Sequence, residues 1–379
     1  MANCYIYSHY GFGLGHLQRS KLIALELKRK GFDVTLFSSG ARLPKKFIPS
    51  GLKFVQLESE EPTLVYAKNL PSNKNITKNE MIRKRIKEVK KEFNKKIPNI
   101  FITEFFPFSP FRLEKTLIPI LEEIRRKYPE CIVVSSIRDI PLTRLEKKKI
   151  DLKTIRYYLK KYYNLILVHA DKDMSSFAKG RKLSKFKVDL PIFFTGYVSN
   201  SSNSILRKKY QIIVSVGGGR DGEKIIGKSI DALNLLAKKG KKIKTLVVLG
   251  PLGRKIDTKS NKNIKVIRFI PDLFKYIKNA ELSLNMMGYN TNTEIFHSGI
   301  PAIYFPRKGS YEQNERADII SHKRKNIILL NEEDTSSKLL ARKILIGLKM
   351  KKYPPLKICG AEKSASIIKE FYTKSRKAK

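Results

Sequence analysis

MGYNTNTEIFHSGIPAIYFPRKGSYEQNERA, residues Met287–Ala317, reads as a strand exit, a glycine turn, a short helix and a second strand. ELSLNMM enters it as an apolar run, and Gly288-Tyr289 turns the chain. A helix through Asn290, Thr291 and Glu294 is then stopped by Gly299, the residue type that best accepts a left-handed helix end. AIYFP follows as a buried strand. This strand–helix–strand unit belongs to an open parallel sheet. The free N–H groups at the start of such a helix favour a phosphate. One turn in, the Glu294 carboxylate can accept two hydrogen bonds from vicinal hydroxyls such as a ribose diol. Glu312-Gln313 brings a second polar pair, suited to the hydroxyls of a hexose.

The alternation extends over the whole chain. CYIYSHY, a glycine turn, a helix over 17–30 and DVTLF form a βαβ opening, and NIFITEFF, CIVVSSI and NLILVHA are further short apolar runs. Such runs are typical of parallel strands buried on both faces. Helices are predicted over 78–96, 113–127 and 151–162. The polar stretch Asn200-Ser201-Ser202-Asn203-Ser204 breaks the pattern and reads as a linker. Beyond it QIIVSVGGG, TLVVLG, IKVIRFI, ELSLNMM and AIYFP alternate with helices over 223–238 and 273–280. The fold class is therefore α/β, with two Rossmann-like doubly wound domains, 1–199 and 200–379, expected to face each other across a cleft at their carboxyl strand ends. The last helix, 361–374, is expected to cross back to the first domain. At 379 residues each half is large enough for its own core.

Lys and Arg total 78 against 34 Asp and Glu, a formal charge of +44, so anionic partners are favoured. A compositional origin, with abundant Ile and Asn, is an equally weighted reading. The basic run Lys78–Lys96 carries Ile82, Ile86, Val89, Phe93 and Ile97 at helical spacing. That stripe faces either the core, the favoured reading, or an anionic membrane surface. Nucleic acid is disfavoured, because Phe93 falls in the apolar stripe and aromatics are not interleaved with the basic residues as a base-stacking surface would prefer. MANCYIYSHYG lacks the basic start of a signal peptide, and no apolar run suffices to span a bilayer, so a cytoplasmic location, with peripheral attachment to the inner membrane face as an option, is expected. Cys4, Cys131 and Cys359 are scattered and odd in number, which implies reduced, half-buried thiols and no zinc site.

Three further clusters sit where strands end. Gly11-Phe12-Gly13-Leu14-Gly15-His16 follows the first strand; His16 interrupts the dinucleotide glycine spacing, and no acidic ribose partner ends the second strand. A histidine there serves either as a proton acceptor for a hydroxyl or as a helix cap. Gly217-Gly218-Gly219 repeats the arrangement in the second half, as a diphosphate cradle or a plain tight turn. Glu104, Arg138 and Asp139 end strands of the first half as acceptor-side candidates or structural ion-pair residues. Asp171-Lys172-Asp173 is a weak metal-ligand pattern, and no metal is expected.

With those residues in place, the chain resembles GT-B glycosyltransferases and is similar to the MurG-like N-acetylglucosaminyltransferases. The likeness is carried by Gly13-Leu14-Gly15-His16-Leu17 with Arg19, residues 104–112, 136–140, 167–171, 195–198 and 215–222, and most specifically by Gly288 to Glu294 and Glu312 to Ala317. It implies that His16 is the base that activates an acceptor hydroxyl, with Gly13, Gly15, Glu104, Arg138 and Asp139 on the acceptor side. It also implies that Gly217, Gly218, Gly219, Tyr289, Asn290 and Thr291 hold the donor diphosphate. Glu294 would take the ribose, Ile270 the base through its backbone, and Glu312 and Gln313 the hexose. The implied reaction is an inverting, metal-independent transfer of a hexose or N-acetylhexosamine from a UDP-sugar, with no cofactor beyond that co-substrate. FFPFSPF and SIRDIP replace the MurG acceptor motifs, so the acceptor stays open, a lipid-linked one being compatible. A nucleotide-sugar epimerase or hydrolase is the alternative on this architecture, and a basic nucleic-acid-binding protein the second.

Overall fold

Each half of the chain builds one wholly parallel sheet. The computed structural model describes residues 1–9, 15–40, 42, 48, 50–59, 76–108, 113–142, 152–199, 210–219, 222–250, 253, 261–270 and 272–377. Gly11, Gly13, the linker 200–204, Arg220 and Asp221 thus lie outside the described residues. Two units result, residues 1–199 with 359–379 and residues 200–358.

Unit 1 runs β1 (Asn3–Ser8), α1 (Gly15–Arg29), β2 (Asp33–Ser38), β3 (Lys53–Gln56), α2 (Lys78–Lys95), β4 (Ile100–Glu104), α3 (Glu114–Lys127), β5 (Ile132–Arg138), α4 (Leu152–Tyr162), β6 (Leu165–His169) and β7 (Ile192–Phe194). The strand order is β3-β2-β1-β4-β5-β6-β7. Alternate residues Tyr5, Tyr7, Phe37, Phe101, Val133 and Ile166 share one core with Val89 and Phe93 of α2, Leu117 and Leu121 of α3, and Ile155 and Leu159 of α4. Period-two strands against period-3.6 helices thus place α2, α3 and α4 in one layer. The apolar stripe of α2 faces this core, with Met81, Val89 and Phe93 buried, while Ile97, beyond the helix end, is 61% exposed. Thr77 caps the helix by accepting from the Glu80 N–H at 3.2 Å.

Unit 2 runs β8 (Ile212–Ser215), α5 (Glu223–Lys238), β9 (Thr245–Val248), β10 (Ile264–Ile267), α6 (Phe274–Lys278), β11 (Leu282–Met286), α7 (Tyr289–Ser298), β12 (Ala302–Phe305), α8 (Tyr311–Lys323), β13 (Ile327–Leu329) and α9 (Ser337–Lys349). Its order is β10-β9-β8-β11-β12-β13. Val214, Leu284 and Ile303 pack against Ile226 and Leu233 of α5 and Leu340 and Ile344 of α9. The final helix, α10 (Gly360–Lys377), belongs to unit 1 and packs on α1. Phe32 meets Tyr372 edge to face at 6.0 Å, and a Cβ on Gly360 would lie 2.5 Å from the Gly196 carbonyl oxygen.

Two thiols differ from expectation. Cys4 and Cys131 are fully buried rather than half-buried, because each sits in a strand region enclosed on both faces; burial pushes both thiols up, Cys131 to about 12. Among the described residues, no helix is long and apolar enough to cross a membrane.

Gly299 ends α7 at φ 71°, and a Cβ there would stand 2.1 Å from the Tyr353 carbonyl oxygen. Tyr353 in turn donates its N–H to the Gly299 carbonyl at 2.8 Å. Gly299→Ala therefore combines a left-handed penalty of about 1–2 kcal/mol with a main-chain collision. A clear fall in Tm on thermal unfolding is expected, and an unchanged Tm would contradict the close approach.

Candidate functional site

In both units the strand order reverses between the first strand and the fourth, and ligands of open α/β sheets gather outside the carboxyl ends there. In unit 1 that point is the β1/β4 junction. His16 stands on the first turn of α1, and its Nδ1 lies 2.8 Å from Oε1 of Glu104, the last residue of β4. Arg19, one turn further on and 1% exposed, bonds the same carboxylate oxygen. Burial alone would raise the Glu104 carboxyl, but the Arg19 guanidinium and the His16 contact bring it down to about 2. Glu104 is thus ionised and can only accept, so His16 must carry its proton on Nδ1. Its Nε2 lone pair is left for an incoming hydroxyl. Burial lowers the His16 pKa, Arg138 and Arg19 add to this, and Glu104 opposes it. The imidazole is therefore a neutral base at physiological pH.

Phe105 holds the imidazole from the side, its ring 5.2 Å from that of His16 and edge-on. It does so at φ 69°, a strained conformation for a bulky residue and one that concentrates at functional sites. The Arg138 guanidinium lies 4.7 Å from the same ring centroid. Asp139 has a different setting. It is fully buried, accepts the Ile140 N–H at 2.8 Å on its side chain and the Ser176 N–H at 3.0 Å on its carbonyl, and so fixes the turn after β5. Gly15 opens α1. Sequence reasoning missed His169, which bridges Ser136 Oγ at 2.8 Å and Thr195 Oγ1 at 2.9 Å. Burial, with Arg19 nearby, holds it to about 3, so it is a neutral internal strut.

In unit 2 the corresponding point is the β8/β11 junction. Gly217 and Gly219 have φ 63° and 85°, and Gly218 lies between them. A Cβ on Gly219 would sit 2.2 Å from the Leu249 carbonyl oxygen, and one on Gly250 would sit 2.4 Å from that of Gly217. The glycine run is therefore needed first by a neighbouring turn, whose backbone interlocks with it. A Cβ on Gly217 would meet nothing within 4 Å. Gly288 differs again. Its φ of −74° suits any residue, and a Cβ there would meet nothing within 4 Å, so neither conformation nor packing explains it. It begins α7 with no side-chain cap and no acidic residue in the first turn. Tyr289 is buried, while Asn290 and Thr291 are half-buried at the helix mouth.

Glu294 lies one turn inside α7, half-buried, and no described residue hydrogen-bonds its carboxylate. Burial, and secondarily the Asp272 carboxylate, push it up to about 8. Asp272 pairs with Lys275 at 3.3 Å through one oxygen, while its other, buried oxygen has no hydrogen-bond partner. Ile270 is half-buried past the end of β10. Glu312 and Gln313 each have partners already. Glu312 is bonded to Arg316 at 2.7 Å, and Gln313 Oε1 accepts the Arg307 N–H at 2.9 Å. Arg316, 1% exposed, also donates to the Met287 carbonyl at 2.7 Å and so ties α8 to the turn before Gly288. The sequence displayed Arg316 but not this role.

Residues 212–371 match the glycosyltransferase family 28 C-terminal domain. A glycosyltransferase from Methanosarcina mazei is 34% identical over 59 residues, a stretch that spans only 16% of this chain and 16% of that relative. Among solved structures, Acinetobacter baumannii MurG superposes with a TM-score of 0.57 at 12% identity, covering 98% of this chain and 100% of MurG. The UDP-GlcNAc 2-epimerase of Methanocaldococcus jannaschii gives 0.62 at 14% identity over 98% and 100%. The chain has the fold of these structures, two parallel sheets with interleaved helices as in GT-B glycosyltransferases.

Glu294 supplies a test. Its folded pKa lies near 8, above the ordinary carboxyl value of 4.5. Folding is thus fully favoured below that ordinary value and loses stability as pH rises through about 8. Glu294→Gln cannot ionise, so its Tm should exceed wild type at alkaline pH and converge with it in acid. A constant offset across pH would contradict the burial of an ionisable group there.

Proposed function

We propose that this chain transfers a hexose or N-acetylhexosamine from a UDP-sugar to an acceptor hydroxyl, with inversion at the anomeric carbon. Glu294 carries the reading: a half-buried carboxylate with no hydrogen-bond donor among the described residues, one turn inside an uncapped helix that starts at an unobstructed glycine. The missing donors match two vicinal hydroxyls, and the helix start matches a phosphate. The family 28 domain supports the same assignment.

In this mechanism His16 Nε2 takes the acceptor proton as the acceptor oxygen bonds to the anomeric carbon. The bond from that carbon to the phosphate oxygen breaks, and the electron pair leaves with the nucleoside diphosphate. The N–H groups of α7 and the Gly217 turn stabilise the departing charge. Glu104, held by Arg19, stabilises the imidazolium that forms, as the buried carboxylate of a Ser-His-Asp triad does. Glu312 and Gln313, on the first turn of α8, are assigned to the hexose.

His16→Ala should lower turnover by roughly 10²–10⁴-fold while nucleotide affinity is retained, and Glu104→Gln should lower turnover by less. Near-normal turnover of His16→Ala would remove it from the mechanism. Nucleoside diphosphates tested by thermal shift should raise Tm, because a ligand bound to the folded state stabilises it. UDP should do so more than its 2′-deoxy analogue, since Glu294 and Asp272 present acceptors for both ribose hydroxyls. Equal shifts for the two would refute the diol assignment. The epimerase likeness motivates a second reading, in which a nucleotide sugar is consumed without any acceptor. A donor-only assay separates the two.

A further inference from the structure

Glu312 and Arg316 stand one turn apart on α8, a spacing that puts both side chains on one face of the helix with the acid toward its N-terminus. Their settings differ. Glu312 lies on the first turn with 13% of its side chain exposed, whereas Arg316 has 1%. From that buried position the guanidinium uses two arms. Nη2 donates to Glu312 Oε1 at 2.7 Å, and Nη1 donates to the Met287 carbonyl at 2.7 Å. The guanidinium carbon lies 6.0 Å from the centroid of the Tyr289 ring. One planar cation thus joins the first turn of α8 to the last peptide before Gly288, beside the first side chain of α7.

A buried cation costs more desolvation than a neutral donor, and tying α8 to a carbonyl requires only an amide such as glutamine. An amide, however, cannot hold a carboxylate and a carbonyl in fixed directions through charge-assisted bonds, and the guanidinium fork can. Gln313 is held differently. Its N–H goes to Ser310 Oγ at 3.4 Å and its Oε1 accepts the Arg307 N–H at 2.9 Å, so the turn that opens α8 fixes it locally.

In the transfer reading the N–H groups that open α7 hold the donor diphosphate, and Glu312 meets the hexose. We infer that Arg316 is a positioning residue that couples these two recognitions, so that the site favours a nucleotide sugar over the bare nucleoside diphosphate. The inference rests on the transfer reading and adds to it the residue that determines how far the sugar strengthens donor binding. A hexose on Glu312 is in register with a diphosphate on α7 only while one guanidinium holds both the carboxylate and the Met287 peptide. Once the hexose has been transferred, the nucleoside diphosphate lacks that contribution and leaves more readily.

Isothermal titration of the full chain with UDP, UDP-glucose, UDP-galactose and UDP-N-acetylglucosamine tests it. The quantity read is the ratio of the Kd for UDP to that for the tightest UDP-sugar, which should exceed one for wild type. Arg316→Lys keeps a cation without the fork and should lower this ratio about tenfold, the scale of one charge-assisted bond. Glu312→Gln should lower it as well, and the double variant no further, because either change breaks the same link. Arg316→Lys combined with Gln313→Ala should instead multiply the separate losses. Glu312→Asp, at a partly exposed position, keeps a carboxylate but shortens its reach toward Arg316, and should lower the ratio even where Arg316→Lys fails to fold. A ratio unchanged in Arg316→Lys or in Glu312→Asp would leave Arg316 a structural tie and overturn the inference. So would multiplied losses for Arg316→Lys with Glu312→Gln, or a wild-type ratio at or below one. A wild type that binds none of the four compounds would remove the transfer reading itself, and this coupling with it.

Discussion

Both halves of this protein depend on one topological constraint. In a parallel sheet whose order reverses between the first and fourth strands, the two connections leave in opposite directions and cannot fill the space outside the strand ends. Whatever side chains the sequence places there meet solvent or ligand from a rigid base. In unit 1 those are the turn into α1 and the end of β4, which carry His16 and Glu104. In unit 2 they are the turns after β8 and β11, which carry Gly217 and Gly288. Each group is held by strands buried on both faces, so its position costs little further ordering.

The same constraint explains what the sequence displayed. Interior strands such as β1, β4, β5, β8 and β11 appear as unbroken apolar runs because helices cover both faces. β3, β7 and β13 escaped notice, and they lie at sheet edges. Their residues are mostly half-buried, so nothing required a long apolar run, and their short lengths blunt the exposed edge. Helix limits were legible where apolar periodicity was strong, as over 223–238 in α5.

The site was only partly legible, for a related reason. His16 is visible because a histidine in a glycine turn is unusual. Its partner Glu104 is 88 residues away, and only the pairing of β1 with β4 joins them. Gly219 had an apparent ligand-related explanation, yet the interlocking turn at Leu249-Gly250 accounts for it by backbone collision alone. Gly288 carries no such structural requirement, so its missing side chain leaves room at the start of α7. Arg316 could be quoted but not interpreted, because its function is to hold a carbonyl at Met287 on another element.

The two strand-end sites differ in how their charges are satisfied. In unit 1 Glu104 meets Arg19 and His16, so the imidazole is oriented before anything binds. That site is preorganised, and its geometry needs no ligand. In unit 2 Glu294 and one oxygen of Asp272 have no hydrogen-bond donor among the described residues, and burial with the Asp272 charge opposes ionisation of Glu294 and costs folding stability above its raised pKa. Hydroxyl donors that relieve this would bind with release of a proton, so affinity should grow as pH rises toward 8. A carboxylate kept at such a cost, on a helix whose start is left open by glycine, is more simply explained by a ligand than by the fold, which at alkaline pH is expected to be more stable with glutamine in its place.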